Sequence, residues 1–585
     1  MVHVRFASTN TTSRLLEQKV QLCCQENNIR RKRGNDMGLA KNCQRFSCDV
    51  LVIGGGGAGL RSAIEARENG ARVIVVSKAK VGYGNNTIMS KAILTSPGWG
   101  DSGDNQQVYL RDTVIGGRYI NDQKLVNVMA GEAGRQPSIL EKYGASFSKK
   151  GNKFNLLAIP GHTFARDVQG KTNKGKDYML PLISYAEKKG VEFVDKVFIT
   201  KLFASNNRVA AVTGLSEEGD FVIFEVKCVI LATGGYSQIY FNSSNTPGIN
   251  GDGLALAYEL GLPLKDMEFV QYYPTASGKR GNNLLLYEGF LFNGAVLKNA
   301  NNENILTKHG LNDPQTITRD LLAQTIFKEI RDGLAKENGV TMDLSAVSDE
   351  RLDQLKPMLP QGVFEKRTCI VSPTTHHSMG GVMIDSGTQT ALPGLYAAGE
   401  VCAGMHGANR LAGNALAEIF AMGGIAGRSA AINAKESDMN SAPENEIEQE
   451  KERLESLFSQ AGENSISLIK SLKKMMWLRA GIVRNSDDLE KALAQIEDFR
   501  SESQKCKIET PKDLMHSIGL QNMLLLSEMV CRSALLRTET RGSHCRSDYP
   551  QEDNANWLKN IVIRKENDKM MVDMHPVQLE YVSPA

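Results

Sequence analysis

Three glycines that directly follow an apolar stretch have a spacing that could bind phosphate. Residues 50–53 are apolar, and Gly54, Gly56 and Gly59 after them fit the pattern G-x-G-x-x-G. The first glycine permits a tight turn, the second lets the backbone approach a pyrophosphate, and the third lets a helix pack closely against the strand. The phosphates would lie at the N-terminus of that helix, where backbone N–H groups are free. These residues predict a dinucleotide-binding turn.

The following segments supply the elements that such a turn needs. Residues 60–70 are predicted to form a helix and residues 73–77 a second apolar strand, which completes a strand–helix–strand unit. Ser77 and Lys78 occupy the place where an acidic residue usually holds a ribose. By themselves these residues fit an FAD site, an NAD site or a glycine turn without function.

Two distant segments favour FAD. VILATGG (229–235) and TALPGLYAAGE (390–400) are apolar runs that end in small residues, as in the strands of a parallel sheet buried on both faces. The second run brings Glu400 to its carboxyl end, the edge of an open α/β sheet where ligands bind. A domain for NAD would not need this late return of the chain. We therefore expect an α/β fold with a Rossmann-like FAD-binding domain.

Composition bounds the domain count and excludes one class of partner. A chain of 585 residues exceeds one hydrophobic core and predicts about two to four domains. The net charge is +3 and 23% of the residues are charged, as on an ordinary protein surface. The sequence shows no basic stripe, which argues against nucleic-acid binding. No apolar run reaches transmembrane length, so we expect membrane association only through a partner. Ten cysteines without a Cys-x-x-Cys spacing predict free thiols and no zinc or iron–sulfur site made by cysteine pairs on this chain.

The first 45 residues differ in composition from the rest. They are rich in Arg, Lys, Ser, Thr and Asn, and they predict a disordered extension. Glu17, Glu26 and Asp36 argue against a transit peptide, and the lack of an apolar segment argues against a signal peptide. We interpret the segment as a solvated tail rather than a targeting signal, with Met37 as a natural start.

A series of longer motifs carries a family resemblance. The motifs are GGRYIND (116–122), GHT (161–163), GDG (251–253), DMEFVQ (266–271), TRD (318–320), PTTHHSMGG (373–381), HGANRL (406–411) and RTETRGSH (537–544). In this order they resemble the succinate dehydrogenase/fumarate reductase flavoprotein family, which also includes L-aspartate oxidase. The resemblance covers the chain from Cys48 to about residue 565.

The resemblance implies a domain organisation. It places an FAD-binding domain at 46–241 and 364–435, interrupted by an α+β capping domain at 242–363. A helical domain at 443–538 and a small C-terminal domain at 539–585 would follow. Residues 448–461 and 488–500 agree, because their apolar residues have helical spacing.

The resemblance also implies how FAD is held. Family members that attach FAD covalently use a histidine in Ser-His-Thr, whereas this chain has Asn85, Asn86 and Thr87. Asn86 cannot form that bond, so we predict noncovalent FAD. The expected FAD-binding residues are Gly54, Gly56, Gly57, Ala58, Gly59, Ser77, Lys78, Asn86, Thr87, Asp252, Glu400, Asn414, Ala415 and Leu416.

The catalytic residues that the resemblance implies are an arginine and a carboxylate clamp. Arg319 matches the arginine that exchanges a proton with one carbon of a C–C bond, while a hydride passes between flavin and the other carbon. His376 and Arg410 match the residues that hold one substrate carboxylate, and the planar fork of an arginine suits that role. His377 is expected to be structural.

The other end of the site departs from the family pattern. The family motif QFHPT is QYYPT (271–275) here, so Tyr273 replaces a histidine. The family motif TExxRGEGG is YEGFLFNGA (287–295) here. Glu288 is kept, but Tyr287 replaces a threonine that helps to hold the second carboxylate, and Leu291 replaces a relay arginine. Proton transfer to Arg319 would then run from Glu288 through water, or a tyrosine would take over.

These replacements predict a changed substrate preference. Two phenols remove positive charge and fill volume, so a second carboxylate would be desolvated with weaker compensation. A buried charged hydrogen bond is worth about 1.5–3 kcal/mol, so the loss of one or two would weaken the stabilisation of bound fumarate or succinate at least about tenfold. We predict an enoate or monocarboxylate reductase-type site, in which Tyr273 and Tyr287 face the neutral end of the substrate. A packing role for both tyrosines is the alternative.

Three other functions fit the same resemblance. The chain could be an ordinary succinate dehydrogenase/fumarate reductase subunit, an L-aspartate oxidase, or a flavin-binding subunit without chemistry; Arg319, His376 and Arg410 argue against the last. RTETRGSH (537–544) favours the respiratory or aspartate oxidase branch. Electrons that leave the flavin would need an iron–sulfur or other electron-transfer subunit. We expect a cytoplasmic protein that reaches a membrane only through such a partner.

Overall fold

The computed structural model describes residues 38–40, 42–277, 284–286, 288–313, 317, 319–355, 359, 362–459 and 461–584, without the side chains of 284, 288, 289, 354 and 355. The strands are β1 (Cys43–Ile53), β2 (Val73–Ser77), β3 (Ile93–Thr95), β4 (Lys149–Lys150), β5 (Lys153–Phe154), β6 (Leu156–Leu157), β7 (Asp167–Gln169), β8 (Glu192–Asp195), β9 (Val197–Ser205), β10 (Arg208–Ser216), β11 (Phe221–Leu231), β12 (Leu264–Lys265), β13 (Val270–Ser277), β14 (Leu284–Leu285), β15 (Val296–Lys298), β16 (Val340–Asp343), β17 (Thr368–Ser378), β18 (Gly381–Val382), β19 (Leu395–Ala397), β20 (Val483–Arg484), β21 (Cys545–Arg546), β22 (Lys559–Glu566) and β23 (Lys569–Pro576).

The helices are α1 (Gly57–Glu68), α2 (Asn86–Met89), α3 (Gln106–Gly116), α4 (Gln123–Ala133), α5 (Gln136–Lys142), α6 (Lys176–Lys188), α7 (Asp252–Glu259), α8 (Ile305–Lys308), α9 (Arg319–Arg331), α10 (Asp349–Leu355), α11 (Val363–Lys366), α12 (Asn414–Glu436), α13 (Glu444–Ser456), α14 (Ser465–Arg479), α15 (Ser486–Ser503), α16 (Pro511–Leu536) and α17 (Asn554–Trp557). Two 3₁₀ turns cover Ser237–Ile239 and Glu288–Asn293.

The main sheet has seven strands, in the order β8-β2-β1-β11-β10-β9 with β19 also paired to β11. The glycine turn follows its strand β1. Strands β8, β2, β1, β11 and β19 are parallel, and β10 and β9 continue the sheet antiparallel. The central strands are almost wholly buried, because α1 and α12 cover them. The structure thus confirms the Rossmann-like α/β class and the strand–helix–strand unit. The first strand begins at Cys43, ahead of the expected boundary at 46, because 43–47 pair with 221–225 of β11.

A second, five-stranded sheet has the order β14-β13-β17-β16-β15 and is antiparallel. Helix α9 packs on β13 and β17, and an apolar cluster that includes Leu286, Leu297 and Met342 fills the space beneath. This is the α+β unit expected for the cap. The expected boundary at 363/364 lies before β17, yet β17 pairs with both β13 and β16, so the sheet continues to Ser378.

Helices α13 to α16 follow, and α13 and the start of α16 pack against the antiparallel strands of the main sheet. Helix α13 spans Glu444–Ser456 and α15 spans Ser486–Ser503, where the sequence predicts helices over 448–461 and 488–500. Ile447, Leu454 and Leu514 bury their side chains against Phe203 and Phe221 of the antiparallel strands. The apolar residues of α13 and of the start of α16 are therefore covered by the antiparallel strands.

The C-terminal segment does not form a separate sheet. The β22–β23 hairpin joins β12 and β18 in a four-stranded sheet of order β18-β12-β22-β23. The sequence predicts a small separate domain at 539–585, but two of the four strands come from Leu264–Lys265 and Gly381–Val382.

Helix α12 corrects one expectation about membranes. It has 23 residues with a mean hydropathy of 1.3 in its most apolar window, which is enough in length and composition to cross a membrane. However, 67% of that window is buried inside the protein, where α12 packs against α1 and the main sheet. We therefore interpret it as a core helix.

Candidate active site

The glycine turn between β1 and α1 requires its glycines. Gly54 has a φ of +119°, and a Cβ on it would lie 2.2 Å from the carbonyl oxygen of Ala232. A Cβ on Gly59 would lie 1.9 Å from the carbonyl oxygen of Gly54. A side chain at Gly59 would push the helix from the strand, and one at Gly54 would clash with the segment that follows β11. Helix α1 starts at Gly57 without a side-chain cap, which leaves its N-terminus suited to a phosphate.

A cavity opens from this turn along the carboxyl ends of the parallel strands. Ten of the predicted cofactor residues line it: Gly54, Gly56, Gly57, Ala58, Ser77, Lys78, Asn86, Thr87, Asp252 and Glu400. A glycine cradle, a helix N-terminus and a cavity at this edge fit an FAD molecule, whose pyrophosphate needs close backbone approach. These ten residues would hold it.

The four other predicted cofactor residues do not line that cavity. Gly59 is buried behind the turn, and Asn414, Ala415 and Leu416 form the first turn of α12. Asn414 turns its side chain into the protein, where it bonds Thr113 and Tyr109 at 3.1 Å each. The helix starts without a side-chain cap, so its first backbone N–H groups can face a cofactor.

Lys78 forms an ion pair that the sequence does not predict. Its ammonium group forms an ion pair with the carboxylate of Asp252, at the start of α7. Asn522 of α16 donates to the other oxygen of that carboxylate at 3.0 Å. The acidic group missing from the end of β2 is therefore supplied by α7, on the same side of the cavity.

Asn86 is held in place at the middle of the cavity. Its amide nitrogen donates to Asn245 and lies 3.5 Å from Glu400, while its oxygen accepts from the N–H of Thr246 at 3.0 Å. Burial raises the pKa of the Glu400 carboxyl to about 7, although the N–H and hydroxyl of Ser378, both at 3.0 Å, oppose that rise. Glu400 can therefore donate as well as accept a hydrogen bond near neutral pH.

Arg410 is a buried cation with spare hydrogen-bonding capacity. It is 7% exposed, donates to Gln271 at 2.9 Å and to the carbonyl of Leu411 at 3.1 Å, and its Nε has no partner among the described residues. Burial, with a smaller contribution from Arg319, lowers its pKa to about 10. A buried guanidinium with an unmatched N–H is suited to bind an anion.

His376 lies close to this cation and is neutral. Burial lowers its pKa to about 3, and Arg410 and Arg319 add to the effect. Its Nδ1 lies 3.0 Å from the hydroxyl of Ser244, which also lies 3.1 Å from the carbonyl oxygen of Thr375. The single hydroxyl proton of Ser244 can serve only one of them, and this choice decides which ring nitrogen of His376 carries its proton.

Tyr273 separates His376 from Arg319. Its ring centroid is 5.7 Å from that of His376 and 5.0 Å from the guanidinium carbon of Arg319, which opens α9. Its hydroxyl donates to the carbonyl oxygen of Leu286 at 2.8 Å. Tyr273 therefore presents an aromatic ring to the two groups. The structure brings Arg319, His376, Arg410 and Tyr273 together, as the motifs imply.

The structure describes only some of the remaining predicted site residues. Tyr287 lies outside the described residues, as does the side chain of Glu288. Leu291, at the position of the missing relay arginine, is 6% exposed and belongs to the apolar cluster with Leu286 and Phe290. The loss of the arginine is thus matched by an apolar environment.

Sequence reasoning gave no role to Gln271, Ser244 or Asn245. The side-chain oxygen of Gln271 accepts a hydrogen bond from Arg410. The hydroxyl of Ser244 contacts Nδ1 of His376, and the side-chain amide of Asn245 donates to the backbone carbonyl of His376 at 2.9 Å. Gln271 lies in a quoted motif and could have been found there. Ser244 and Asn245 lie in a loop without a motif, and only the fold brings them to β17.

Comparisons with known proteins agree with this arrangement. A family model described as an FAD binding domain matches residues 49–416, and one described as the fumarate reductase flavoprotein C-terminus matches residues 469–585. The chain belongs to the succinate dehydrogenase/fumarate reductase flavoprotein family. An uncharacterized FAD-dependent oxidoreductase of Methanocaldococcus jannaschii is 36% identical over 88% of this chain and 96% of its own length. One chain of the fumarate reductase (CoM/CoB) of Methanothermobacter marburgensis is 35% identical over 90% of this chain and 99% of its own length.

Solved structures of this flavoprotein family share the whole fold. Mycobacterium smegmatis Sdh1 has a TM-score of 0.84 and 32% identity, and covers 92% of this chain and 96% of its own. An Escherichia coli quinol fumarate reductase FrdA has a TM-score of 0.84 and 26% identity, and covers 93% of this chain and 98% of its own. The protein is an FAD-dependent oxidoreductase that acts on CH–CH groups, with a Rossmann-like FAD-binding domain and an α+β cap.

Proposed function

We propose that this flavoprotein reduces, or in reverse forms, a C–C double bond next to a carboxylate, and that Arg410 and His376 hold that carboxylate. The observation that carries the proposal is the buried guanidinium of Arg410, whose Nε has no partner among the described residues. A bound carboxylate would satisfy this N–H and neutralise the charge. Such charge-assisted hydrogen bonds are worth more than neutral ones.

Neutral His376 can donate to the same carboxylate from Nε2 in one of its two tautomers only. If the hydroxyl of Ser244 donates to Nδ1, the ring proton resides on Nε2 and can be given to an anion. If Ser244 donates to the carbonyl of Thr375 instead, Nε2 becomes an acceptor and repels a carboxylate. Substrate binding therefore selects the Ser244 orientation that points to His376.

Arg319 is the proposed acid and base. Bound FAD would supply or take the hydride at one carbon, and Arg319 would give or take the proton at the other. Its guanidinium lies over the ring of Tyr273 and near enough to Arg410 to lower the pKa of that residue. The position of Arg319 beside Tyr273 and Arg410 places its guanidinium next to the proposed carboxylate clamp, where it can reach the substrate.

The route that returns a proton to Arg319 differs from the family pattern. Leu291 excludes a relay through its own position, because it lies in an apolar cluster. The Tyr273 hydroxyl is bonded to the carbonyl of Leu286, which leaves it poorly placed for the task. We propose that Glu288 hands over the proton through water. Tyr287 stays a proposed contact of the substrate.

The proposed substrate is an unsaturated monocarboxylate. Where the family has a histidine, Tyr273 presents an uncharged ring between Arg319 and His376, so this side offers a second carboxylate less charge. Fumarate or succinate is the second candidate, because relatives that match nearly the whole chain are named fumarate reductase and succinate dehydrogenase. The two candidates differ in the charge at the far end of the molecule.

Steady-state assays with a reduced dye distinguish them. We expect kcat/KM for the best monocarboxylate to exceed that for fumarate by about tenfold or more. Tyr273→His with Tyr287→Thr should shift this ratio toward fumarate, and Leu291→Arg should raise the fumarate rate only in that double variant, since a relay helps only a correctly seated substrate. A parent enzyme that prefers fumarate or succinate at ordinary rates would establish the second candidate.

We propose that FAD is bound noncovalently, because the attachment position is Asn86 and its amide is committed to Asn245 and Thr246. Acid precipitation should release all yellow colour into the supernatant. Flavin that stays with the pellet would contradict the proposal.

We further propose that electrons reach or leave this chain through a separate subunit. The described cysteines are all free thiols, which leaves no disulfide among them, and relatives are named as subunits of larger enzymes. An iron–sulfur or other electron-transfer subunit is the proposed partner, with a cytoplasmic location and membrane contact only through it. Affinity purification of the native complex, with metal and sulfide analysis, would test the partner.

The domain limits at 241/242, 435/443 and 538/539 are likewise proposals.

A further inference from the structure

Two histidines and a glutamate form a buried cluster close to the substrate clamp. His377, His406 and Glu418 are all buried, and their ligand atoms lie within 4.8 Å of one another. The Nε2 of His406 is 2.9 Å from an oxygen of Glu418, and the ring centroids of the two histidines are 5.2 Å apart. His377 belongs to β17, His406 to the loop before α12, and Glu418 to α12 itself.

This cluster has more hydrogen-bonding atoms than partners. Nε2 of His377, Nδ1 of His406 and the second oxygen of Glu418 are buried without a hydrogen-bond partner among the described residues. Buried polar atoms are nearly always paired in proteins, so several unmatched atoms in one cluster indicate an additional bound species. A metal ion that accepts electron pairs from Nε2 of His377 and from Glu418 is one such species, and a buried water is the other.

We propose that His377, His406 and Glu418 bind a divalent transition metal of the zinc type. Two imidazoles and one carboxylate are a donor set that zinc accepts readily. The hydrogen bond of 2.9 Å between Nε2 of His406 and Glu418 would be replaced, with loss of its proton, by two bonds of about 2.0–2.1 Å to the metal. A carboxylate oxygen of Glu400 lies 3.7 Å from Nδ1 of His377, where it can orient the ring from behind.

The metal would have a structural role, independent of which substrate the enzyme takes. His377 is adjacent to His376, and His406 lies in the same loop as Arg410. Glu418 lies one turn into α12 from Asn414. A metal would therefore tie the two carboxylate-binding segments to the start of α12. Sequence reasoning expected no metal, because it looked for paired cysteines.

The test is metal content of the tag-free, FAD-loaded full chain. Plasma mass spectrometry after gel filtration in zinc-supplemented buffer should find about one zinc ion per chain. Glu418→Gln and His377→Gln should reduce the zinc content to background, and thermal melting should lose its zinc-dependent increase. His575→Ala, which removes an exposed histidine, should retain the metal.

X-ray absorption at the zinc edge of the parent protein does not depend on the variants folding. It should show two imidazole ligands and oxygen at about 2.0–2.2 Å. Less than about a tenth of an equivalent of metal, or zinc without imidazole scattering, would overturn the proposal in favour of a buried water. Zinc that persists in both variants would identify an adventitious ion and overturn it as well. These results do not depend on turnover, so they are separate from the test of the proposed function.

Discussion

The proposed role of Arg319 as acid and base depends on its neighbours. A free guanidinium holds its proton far above neutral pH, so it is a poor acid in water. Here its guanidinium carbon lies 5.0 Å from the centre of the Tyr273 ring, and this aromatic face helps to hold the group in position. Its charge also contributes, after burial, to the lowered pKa of Arg410. These two neighbours define the surroundings of the proposed acid.

We expect Arg319→Lys and Arg319→Ala to lower kcat by about 10²–10⁴. A lysine cannot reproduce the planar contact with Tyr273, and an alanine removes the acid altogether. Flavin content and the visible spectrum should stay near those of the parent, because the residue acts on substrate.

Arg331→Ala is the matched control for this prediction. Arg331 is exposed at the other end of α9 and makes only a long ion pair, 3.5 Å, with Asp488 among the pairs described. It should keep kcat within about twofold. An Arg319→Lys enzyme that turns over within tenfold of the parent would assign the proton to another group.

At the scale of elements, the turn between β1 and α1 is set by backbone contact. The Cβ that Gly59→Ala introduces would lie 1.9 Å from the carbonyl oxygen of Gly54, closer than nonbonded atoms approach. We expect this variant to lose most of its FAD or its solubility, since α1 must move away from the phosphate site. Absorbance of purified protein at 450 nm against 280 nm measures the loss.

Gly519→Ala provides the control, because a Cβ there meets nothing within 4 Å inside α16. It should bind FAD fully and gain about 0.5–1 kcal/mol in the free energy of unfolding. A Gly59→Ala protein that is soluble and saturated with flavin would show that the turn can open without cost.

Strand β7 carries a carboxyl group whose pKa links stability to pH. Burial raises the pKa of Asp167 from 3.8 to about 7, although the hydroxyl of Thr95 at 2.6 Å opposes this. Between these values the unfolded chain ionises Asp167 while the folded protein keeps it protonated. This group therefore lowers stability as pH rises from 3.8, and the cost reaches its full size above about 7.

We expect Asp167→Asn to remove that cost, because an amide does not ionise and can still accept from Thr95. The variant should match the parent near pH 4 and exceed it by up to about 4 kcal/mol in free energy of unfolding at pH 8. Urea titrations at several pH values measure the difference. Asp568→Asn, at an exposed turn, is the surface control and should change the free energy of unfolding little. An Asp167→Asn offset that does not change with pH would show that the carboxyl is ionised in the folded state.

At the scale of the whole molecule, a buried ion cluster joins distant parts of the chain. Arg537, at the end of α16, pairs with Glu268 at 2.7 Å and with Glu539 at 3.0 Å, and Glu539 pairs with Arg541 at 2.7 Å. Arg541 also donates to the carbonyl of Arg118, and all four ionic side chains are fully buried. Each charge has left water and depends on its partners.

We expect Glu539→Gln to lower the free energy of unfolding by about 3–5 kcal/mol, since it leaves two buried arginines with one carboxylate fewer. Calorimetry would show this as a lower Tm. Glu217→Gln breaks an exposed pair with Lys196 and should leave Tm nearly unchanged, because solvent screens that pair. Equal effects of the two substitutions would mean that the buried cluster adds nothing beyond a surface pair.

The sequence by itself determined the fold class, the cofactor and most of the candidate site. The glycine turn could be predicted because its geometry depends on neighbouring residues along the chain and on the absence of side chains. Arg319, His376 and Arg410 could be identified because each lies inside a motif several residues long. The replacement of a histidine by Tyr273 was equally visible there.

The tertiary structure alone decided how these residues interact. Pairing of β17 with β13 extends the cap beyond its predicted limit, and pairing of β22 with β12 joins the C-terminus to the core. Ser244 reaches His376, the Tyr273 hydroxyl bonds Leu286, and His377 meets His406 and Glu418. The contacts of Ser244 and His377 join residues far apart in sequence, and that of Tyr273 depends on how its strand meets the next segment. Local pattern carries no information on such partners, because they are chosen by strand register and by the burial of side chains in one shared core.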